Sequence, residues 1–399
     1  MADPDARGDG LPYRCLMAGS SASSPPRRAL VAGGGVAALE AVLALHALAG
    51  DRLRVELLAP GGDFPQRPAS VLSPFTGEHA PELPFARLAE LGVVRHRGAL
   101  ASVDPERRSV RTTGGGELGY DWLILATEAH AVDGVPGSTT FRGPISAGAV
   151  EAALRDARGR VLFTLPPGAA WTLPLYELAL LAARAQPHGP DLLVLTHERR
   201  PLDIFGPAAS NAVERLLEQA GVEFEGETEA ASALDGALLT GDGRLLSADV
   251  VIALPRLLGP WIDGLPADAD GFVPIDGHAR VPGAPSVFAA GDATAGPLKQ
   301  GGLSAQQADA AAEAIAAEAG APITPVPYRP VLRALLLTGD EPLFLRTDLA
   351  TGTTDVSRDA LWRPPAKVAG RYLASFHASG GRHADALIDV APSHTATAG

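Results

Sequence analysis

Cysteine is nearly absent from this chain of 399 residues, since Cys15 is the single one. No internal disulfide and no cysteine-based metal cluster can therefore form. The ten histidines are scattered, without a His-x-x-x-His or Glu-x-x-His pattern on a predicted helix, so we expect no metal site. A Gly-x-Ser-x-Gly elbow is also missing, which argues against a serine hydrolase.

Long apolar runs and excess positive charge are missing as well. No segment approaches the roughly 20 uninterrupted apolar residues of a membrane-spanning helix. Residues 1–26 are rich in Gly, Ser, Pro and charge, and contain no apolar run long enough for a signal peptide. The net charge of −13 argues against nucleic acid or an anionic membrane surface as a partner. We therefore expect a cytoplasmic protein without peripheral membrane contact.

A glycine turn near the N-terminus indicates a dinucleotide site. An apolar strand at residues 29–32 leads into Gly-x-Gly-x-x-Ala and then into a helix. In such a turn the first glycine permits the tight bend, the second lets a pyrophosphate approach the backbone, and the small third residue allows close packing. Phosphates bind at the helix N-terminus, where N–H groups and the helix dipole favour negative charge. The predicted phosphate-binding residues are Gly33, Gly35, Val36, Ala37 and Ala38.

A second turn lies near the other end of the chain. The buried strand predicted at residues 287–290 ends at Gly291 and Asp292, and a long Ala-rich helix follows. Such a turn lets the backbone approach a ligand while one carboxylate binds a hydroxyl. Alone, a Gly-Asp sequence most often forms only a turn. Together with the glycine turn at the opposite end of the chain, it indicates a ligand site.

The chain resembles the FAD-dependent pyridine nucleotide-disulfide oxidoreductase superfamily. The resemblance covers residues 28 to 376 and rests on three motifs in order: the first glycine turn, the segment 120–127 and the segment 287–292. It is strongest with the sulfide:quinone oxidoreductase-like and type II NADH dehydrogenase-like branches. In that superfamily the first turn holds the FAD pyrophosphate and the Gly-Asp aspartate binds the ribityl chain.

The resemblance also implies further site residues. The implied FAD contacts beyond the first turn are Arg67, Ala101, Ala126, Thr127, Gly291, Asp292, Lys299, Gln300 and Gly301. Lys299 and Gln300 precede the last long helix, where the family approaches the flavin, and they are the predicted catalytic residues. A lysine and a helix N-terminus at that place would stabilise the negative charge of a reduced flavin. A surface position for Arg67 or Lys299 is the alternative.

Three segments depart from the family pattern. Glu128 stands where relatives carry the glycine of Ala-Thr-Gly, which places an added charge close to the cofactor. The second strand ends at Ala59 with Glu56 inside it, so an acidic ribose clamp is not evident. The second unit has the turn Pro-Pro-Gly-Ala-Ala-Trp at residues 166–171, which cannot present the bare backbone of a glycine turn to a pyrophosphate. Arg199-Arg200 could indicate a 2′-phosphate site or a solvated pair.

We expect an α/β protein with two Rossmann-like dinucleotide-binding folds of the three-layer ββα, FAD/NAD(P)-binding type, plus a small α+β C-terminal region. Its length and its 46% hydrophobic content suit two or three domains. The predicted parts are a disordered leader (1–26), an FAD-binding domain (27–155 and 256–320), an inserted NAD(P)-domain-like unit (156–255), the C-terminal region (321–380) and a flexible tail (381–399).

The predicted function is FAD-dependent electron transfer between a small-molecule donor and an acceptor, without direct NAD(P)H binding. One alternative is an NAD(P)H- or sulfide-type quinone or acceptor reductase, although the paired cysteines of sulfide oxidation are absent. Another is a non-catalytic flavin-binding protein. A homodimer is possible, and neither nucleic acid nor a metal ion is expected.

Overall fold

A computed structural model describes residues 26–61, 63–65, 67–77 and 82–378 of the chain. Cys15, residues 1–25 of the expected leader and the expected tail lie outside these described residues. None of the helices within them is long and apolar enough to span a membrane.

The described chain alternates strands and helices. The first part contains β1 (Arg27–Ala32), α1 (Val36–Ala49), β2 (Leu53–Ala59), β3 (Asp63–Pro65), α2 (Ser73–Thr76), β4 (Glu82–Pro84), α3 (Ala86–Ala89), β5 (Val94–Arg97), β6 (Leu100–Asp104), β7 (Ser109–Thr112), β8 (Glu117–Gly119) and β9 (Trp122–Leu125). The middle part contains β10 (His130–Val132), β11 (Thr139–Thr140), α4 (Ala147–Asp156), β12 (Arg160–Thr164), α5 (Leu173–Ala185), β13 (Asp191–Leu195), α6 (Gly206–Ala220), β14 (Val222–Glu225), β15 (Ala230–Leu234), β16 (Ala237–Thr240), β17 (Leu245–Ser247), β18 (Val250–Ala253) and β19 (Arg256–Leu258). The last part contains β20 (Val287–Ala289), α7 (Gly301–Glu318), β21 (Val331–Leu336), β22 (Leu343–Asp348), β23 (Thr354–Ser357) and α8 (Leu373–Ala378).

The first sheet is parallel, with the order β20-β9-β1-β2-β5. Its central strands are short apolar runs buried on both faces, as expected for parallel strands between two covering layers. Helices α1 and α7 cover one face, and α1 is apolar around most of its circumference because it is buried between the sheet and α7. The small sheet β6-β7-β8 covers the other face.

The second sheet repeats this plan, with the parallel order β11-β18-β12-β13-β14. Helices α5 and α6 pack on one face, and the sheet β15-β16-β17 packs on the other. Two three-layer units therefore confirm the predicted fold class. Strand β11 and helix α4 contribute to the second unit although they begin before residue 156.

The C-terminal region is an antiparallel sheet, β21-β22-β23, followed by α8. Leu332, Ala334 and Leu336 of β21 are buried in the same core as α5 of the second unit. The sequence predicted β21 and β22 but not β23, because Val356 is the only large apolar residue in that half-buried strand. The C-terminal region thus lies against the second unit near the start of α7.

Candidate functional site

A cavity of about 260 Å³ lies where the first unit, the start of α5 and the C-terminal region meet. Strands β1, β9 and β20 are parallel, so their carboxyl ends point to one edge of the sheet, where ligands of open α/β sheets bind. Most of the predicted site residues line this cavity: Gly35, Val36, Ala37, Arg67, Ala126, Thr127, Gly291, Asp292, Lys299, Gln300 and Gly301. The fold therefore brings together residues that are far apart in the chain.

Two glycines allow the turns at this edge to approach one another. Gly33 has φ +150°, and a Cβ there would lie 1.9 Å from the carbonyl oxygen of Ala126. Gly291 has φ +81°, and a Cβ there would lie 3.1 Å from the Cβ of Ala37. The N-terminal turns of α1 and α7 consequently converge on one place, with Ser304 of α7 beside Gly291.

Asp292 and Lys299 form the charged centre of the cavity. Burial raises the pKa of Asp292, while the positive charges of Lys299 and Arg67 lower it. Burial lowers the pKa of Lys299 to about 8, against the opposing effect of Asp292 and Asp268. Lys299 donates to the carbonyl of Thr294 and lies over the ring of Phe272, 3.7 Å from its centroid. Lys299 is therefore half-buried rather than freely solvated.

Gln300 is buried with both ends of its amide engaged. Its Oε1 accepts a 2.8 Å hydrogen bond from the N–H of Leu303 and so caps α7. Its Nε2 donates to the carbonyl of Arg333 at 2.8 Å, which ties α7 to β21. This arrangement fixes the start of α7 at the cavity wall.

Arg67 and Glu128 form an ion pair at the cavity, with Nη2 and Oε2 separated by 2.7 Å. Burial raises the pKa of Glu128, Arg67 lowers it and Asp292 raises it further. The replacement of the family glycine by Glu128 therefore places a carboxyl group within the candidate site.

A buried pair that sequence reasoning missed forms another wall. Glu177 of α5 accepts a hydrogen bond from Lys367 and a 2.9 Å hydrogen bond from the N–H of Leu337. Lys367 also donates to the carbonyl of Leu335 at 3.0 Å. Among the residues that the structure describes, Glu177 Oε2 has no hydrogen-bond partner. Burial raises the pKa of Glu177 and lowers that of Lys367, and each partner opposes the shift of the other.

Lysine scarcity was the signal that could have found this pair. The chain contains two lysines, Lys299 and Lys367, and all other basic side chains of the Lys/Arg class are arginines. Both lysines line the same cavity. In a chain whose other basic side chains of this class are arginines, each lysine is therefore a candidate site residue.

Side chains of the second unit contact one another next to its Pro-rich turn. Glu198, which follows β13, accepts a 2.9 Å hydrogen bond from Thr172 and a 2.5 Å hydrogen bond from Tyr176. It is buried, and burial raises its pKa to about 7. Trp171 packs against Phe205 with ring centroids 6.1 Å apart. An acidic side chain after the second strand of a dinucleotide fold would otherwise face a ribose.

Several other predicted residues lie outside the cavity lining. Gly33 and Ala38 lie within the first turn and its helix, where they permit close packing, and Ala101 is exposed on β6. Trp362 packs edge-on against Phe344, 5.0 Å between ring centroids. Arg200 binds Glu214 through two hydrogen bonds.

Glu56, in the inner part of β2, is bound by two neighbouring basic side chains. Glu56 binds Arg54 and His96 at 2.9 and 2.6 Å. Glu56 is therefore occupied by neighbouring side chains inside the strand. It does not stand at the strand end, where a ribose clamp would lie, in agreement with its position inside the predicted strand.

Comparison with known proteins gives a family match. A model described as pyridine nucleotide-disulphide oxidoreductase matches residues 27–314, which is well over half of the chain. NADH dehydrogenase-like proteins from two strains of Mycobacterium tuberculosis are 29% identical over 228 residues. The match spans 52% of this chain and 57% of those relatives.

Solved structures share the fold. Sulfide:quinone oxidoreductase from Aquifex aeolicus superposes with a TM-score of 0.76 at 20% identity, covering 83% of this chain and 87% of that one. A ferredoxin reductase from Rhodopseudomonas palustris gives a TM-score of 0.63 at 18% identity, with the same coverage of 83% and 87%. At these identities the likeness concerns the fold.

Proposed function

The chain belongs to the pyridine nucleotide-disulphide oxidoreductase family, and we propose that it is an FAD-dependent enzyme that transfers electrons between a small donor and an acceptor without binding NAD(P)H directly. The observation that carries this proposal is a cavity on which the N-termini of α1 and α7 converge beside Asp292. Two helix N-termini and one half-buried carboxylate suit a ligand with a diphosphate and a hydroxylated chain.

The residues present fit FAD. Gly35 leaves the N-terminus of α1 open to a diphosphate, and Asp292, which lines the cavity, would bind a ribityl hydroxyl. Within the described part of the chain, the buried Oγ1 of Thr127 has no hydrogen-bond partner, so this hydroxyl is available to a ligand. These residues would hold the cofactor, and Arg67 would contribute a positive charge.

A bound flavin supplies two-electron transfer. Around it, Lys299 and the N-terminus of α7 favour negative charge at one side of the cavity. Another wall carries the buried pair of Glu177 and Lys367, whose hydrogen bond joins α5 to the C-terminal region. Trp171, Leu173 and Pro174 line the cavity from the second unit.

The second unit supports transfer without NAD(P)H. Its turn carries prolines and Trp171 in place of a glycine cradle, and Pro174 occupies the first turn of α5. Glu198 is buried and accepts hydrogen bonds from Thr172 and Tyr176, so it is not exposed to a ribose hydroxyl. A nucleotide would have to break these buried hydrogen bonds before it could bind.

A second candidate function is NAD(P)H:acceptor reduction, which is favoured by the name of the mycobacterial NADH dehydrogenase-like relatives. The fold neighbours are described as acting with a quinone or a ferredoxin, so the acceptor proposed here is a small electron carrier. The two candidates differ in whether a nicotinamide reaches the cavity.

Anaerobic spectrophotometry of the purified protein separates them. We expect the protein to carry FAD or to take it up, and dithionite to bleach the flavin absorbance. NADH and NADPH should reduce it slowly, and sulfide should not drive a disulfide cycle because Cys15 has no partner cysteine. Rapid bleaching by micromolar NADH would establish the second candidate, whereas a colourless protein that takes up no FAD would refute both.

A further inference from the structure

Glu128 lies at the place where the diphosphate of FAD is proposed to bind. It follows β9, which pairs in parallel with β1, so it projects from the same sheet edge as the first glycine turn. Its Oε1 lies 3.8 Å from the position that a Cβ on Gly35 would occupy. Gly35 is the N-cap of α1, whose N–H groups attract an anion. A carboxylate of the protein therefore stands beside an anion site.

Arg67 is the cation that neutralises this carboxylate. It precedes α2 in a 3₁₀ turn, and its Nη2 lies 2.7 Å from Glu128 Oε2. Asp292, on the turn after β20, adds a second negative charge that acts on Glu128, and the positive charge of Lys299 acts on Asp292. The pair Glu177–Lys367 and Arg333 line the same cavity. Arg67 is the cation that forms an ion pair with Glu128, while Lys299 offsets the charge of Asp292.

A diphosphate would change this balance. It adds two negative charges next to Glu128 and offers Arg67 a partner that it can bind through two parallel hydrogen bonds. The side chain of Arg67 is 60% exposed, so it can turn without disturbing the core. Glu128 would then be a half-buried carboxylate beside phosphate and Asp292, with its counterion removed.

We propose that Arg67 exchanges Glu128 for the cofactor diphosphate, and that Glu128 takes up one proton from solvent when FAD binds. This inference rests on the proposed function. The direction of this proton transfer follows from the charges. Burial and Asp292 already raise the pKa of Glu128, and the loss of Arg67 together with the arrival of phosphate raises that pKa further. FAD therefore binds more tightly as the pH falls, in the window between the pKa values of Glu128 in the free and bound proteins.

Calorimetric titration of the full-length apoprotein with FAD tests the exchange. Titrations in two buffers of different ionisation enthalpy count the protons taken up. We expect wild type to take up a fraction of a proton approaching one, with a dissociation constant that rises by up to about tenfold per pH unit within the window. Glu128→Gln and Glu128→Gly should lose this uptake and bind FAD more tightly at the upper end of the range.

Two further variants sharpen the test. Arg67→Met should weaken FAD binding, and it should do so in the Glu128→Gln background as well, because the diphosphate remains its partner. Glu106→Gln is the matched control, an exposed carboxyl outside the cavity, and should keep the proton uptake of wild type. Equal proton uptake by wild type and both Glu128 variants would overturn the exchange while leaving FAD binding, and so the proposed function, in place. Failure of wild type to bind FAD at all would overturn both.

Discussion

At the scale of single residues, Lys299 determines the charge beside the proposed flavin. It lies over Phe272, donates to Thr294 and interacts with Asp292. Its pKa, lowered by burial to about 8, keeps it mostly protonated at neutral pH. A cation there favours a reduced flavin that carries negative charge.

We therefore predict that Lys299→Met lowers the reduction potential of bound flavin and leaves FAD bound. The loss of about 1.4 kcal/mol of stabilisation corresponds to roughly 30 mV for a two-electron couple. Redox titration against a reference dye measures the shift. Lys299→Arg, which keeps the charge, is the control. An unchanged potential in Lys299→Met would mean that the lysine only packs on Phe272.

At the scale of secondary-structure elements, the two glycines of the first turn have different tasks. Gly33 has a positive φ, and a side chain there meets the Ala126 carbonyl at 1.9 Å. Gly35 has φ −107° and ψ −171°, which most residues can adopt, and a Cβ there meets Glu128 at 3.8 Å. Gly33 is therefore required for the backbone to fold in this way, whereas Gly35 leaves room for the proposed ligand.

This difference gives a paired prediction. Gly35→Val should fold with a melting temperature near that of wild type but lose the yellow colour, because its side chain covers the N-terminus of α1. Gly33→Ala should be destabilised by more than about 1 kcal/mol, since its Cβ would meet the Ala126 carbonyl and the backbone must move. Thermal melts and flavin content measure both effects. Retention of FAD by Gly35→Val would place the diphosphate elsewhere.

Helices α1 and α7 also carry a pair of carboxyl groups, the buried Glu40 and the half-buried Asp309. Glu40 of α1 accepts hydrogen bonds from the N–H groups of Tyr372 and Leu373, both at 2.7 Å. Asp309 of α7 faces Glu40, and burial together with Glu40 raises its pKa to about 8. Arg371 lowers that pKa and Glu313 raises it.

Because the folded pKa of Asp309 exceeds its unfolded value, the folded state holds a proton that the unfolded state has released. The contribution of Asp309 to stability should thus be lost as the pH rises from about 4 towards its folded pKa, at up to about 1.4 kcal/mol per pH unit. Asp309→Asn should remove this slope and be the more stable protein near pH 8. Urea denaturation at pH 6 and 8 checks it, with exposed Glu106→Gln as control. Parallel pH profiles for wild type and Asp309→Asn would contradict the assignment.

Most elements of both sheets could be predicted because their strands are continuous apolar runs, such as Trp122–Leu125. Strand β23 could not, because its stability comes from pairing with β22 rather than from its own composition. The residues around the turns at 33–35 and 291–292 were found because glycine spacing is local in sequence. Glu177 was missed because it lies in an apolar helix, and its partner Lys367 is 190 residues away.

At the scale of the whole molecule, the Glu177–Lys367 pair joins α5 of the second unit to the C-terminal region, including its strand β21, at the wall of the cavity. Removal of one partner leaves an uncompensated buried charge. Lys367→Met should therefore cost about 3–5 kcal/mol of unfolding free energy. Glu177→Gln together with Lys367→Met should recover part of it.

Chemical denaturation measures the unfolding free energy of these variants. The matched control is Arg155→Met, which breaks an ion pair whose two side chains are 63% and 69% exposed, and it should change stability by less than about 1 kcal/mol. If Lys367→Met were as stable as this control, the buried pair would not hold the C-terminal region in place.

The two lysines have a consequence for chemical labelling. An amine-selective reagent meets two lysine side chains in this chain, Lys299 and Lys367. The side chain of Lys367 is only 8% exposed in its ion pair with Glu177, whereas the half-buried Lys299 lines the cavity. A bound ligand should therefore slow the labelling of Lys299, so mass spectrometry of labelled protein reads occupancy of the cavity without any assumption about the substrate.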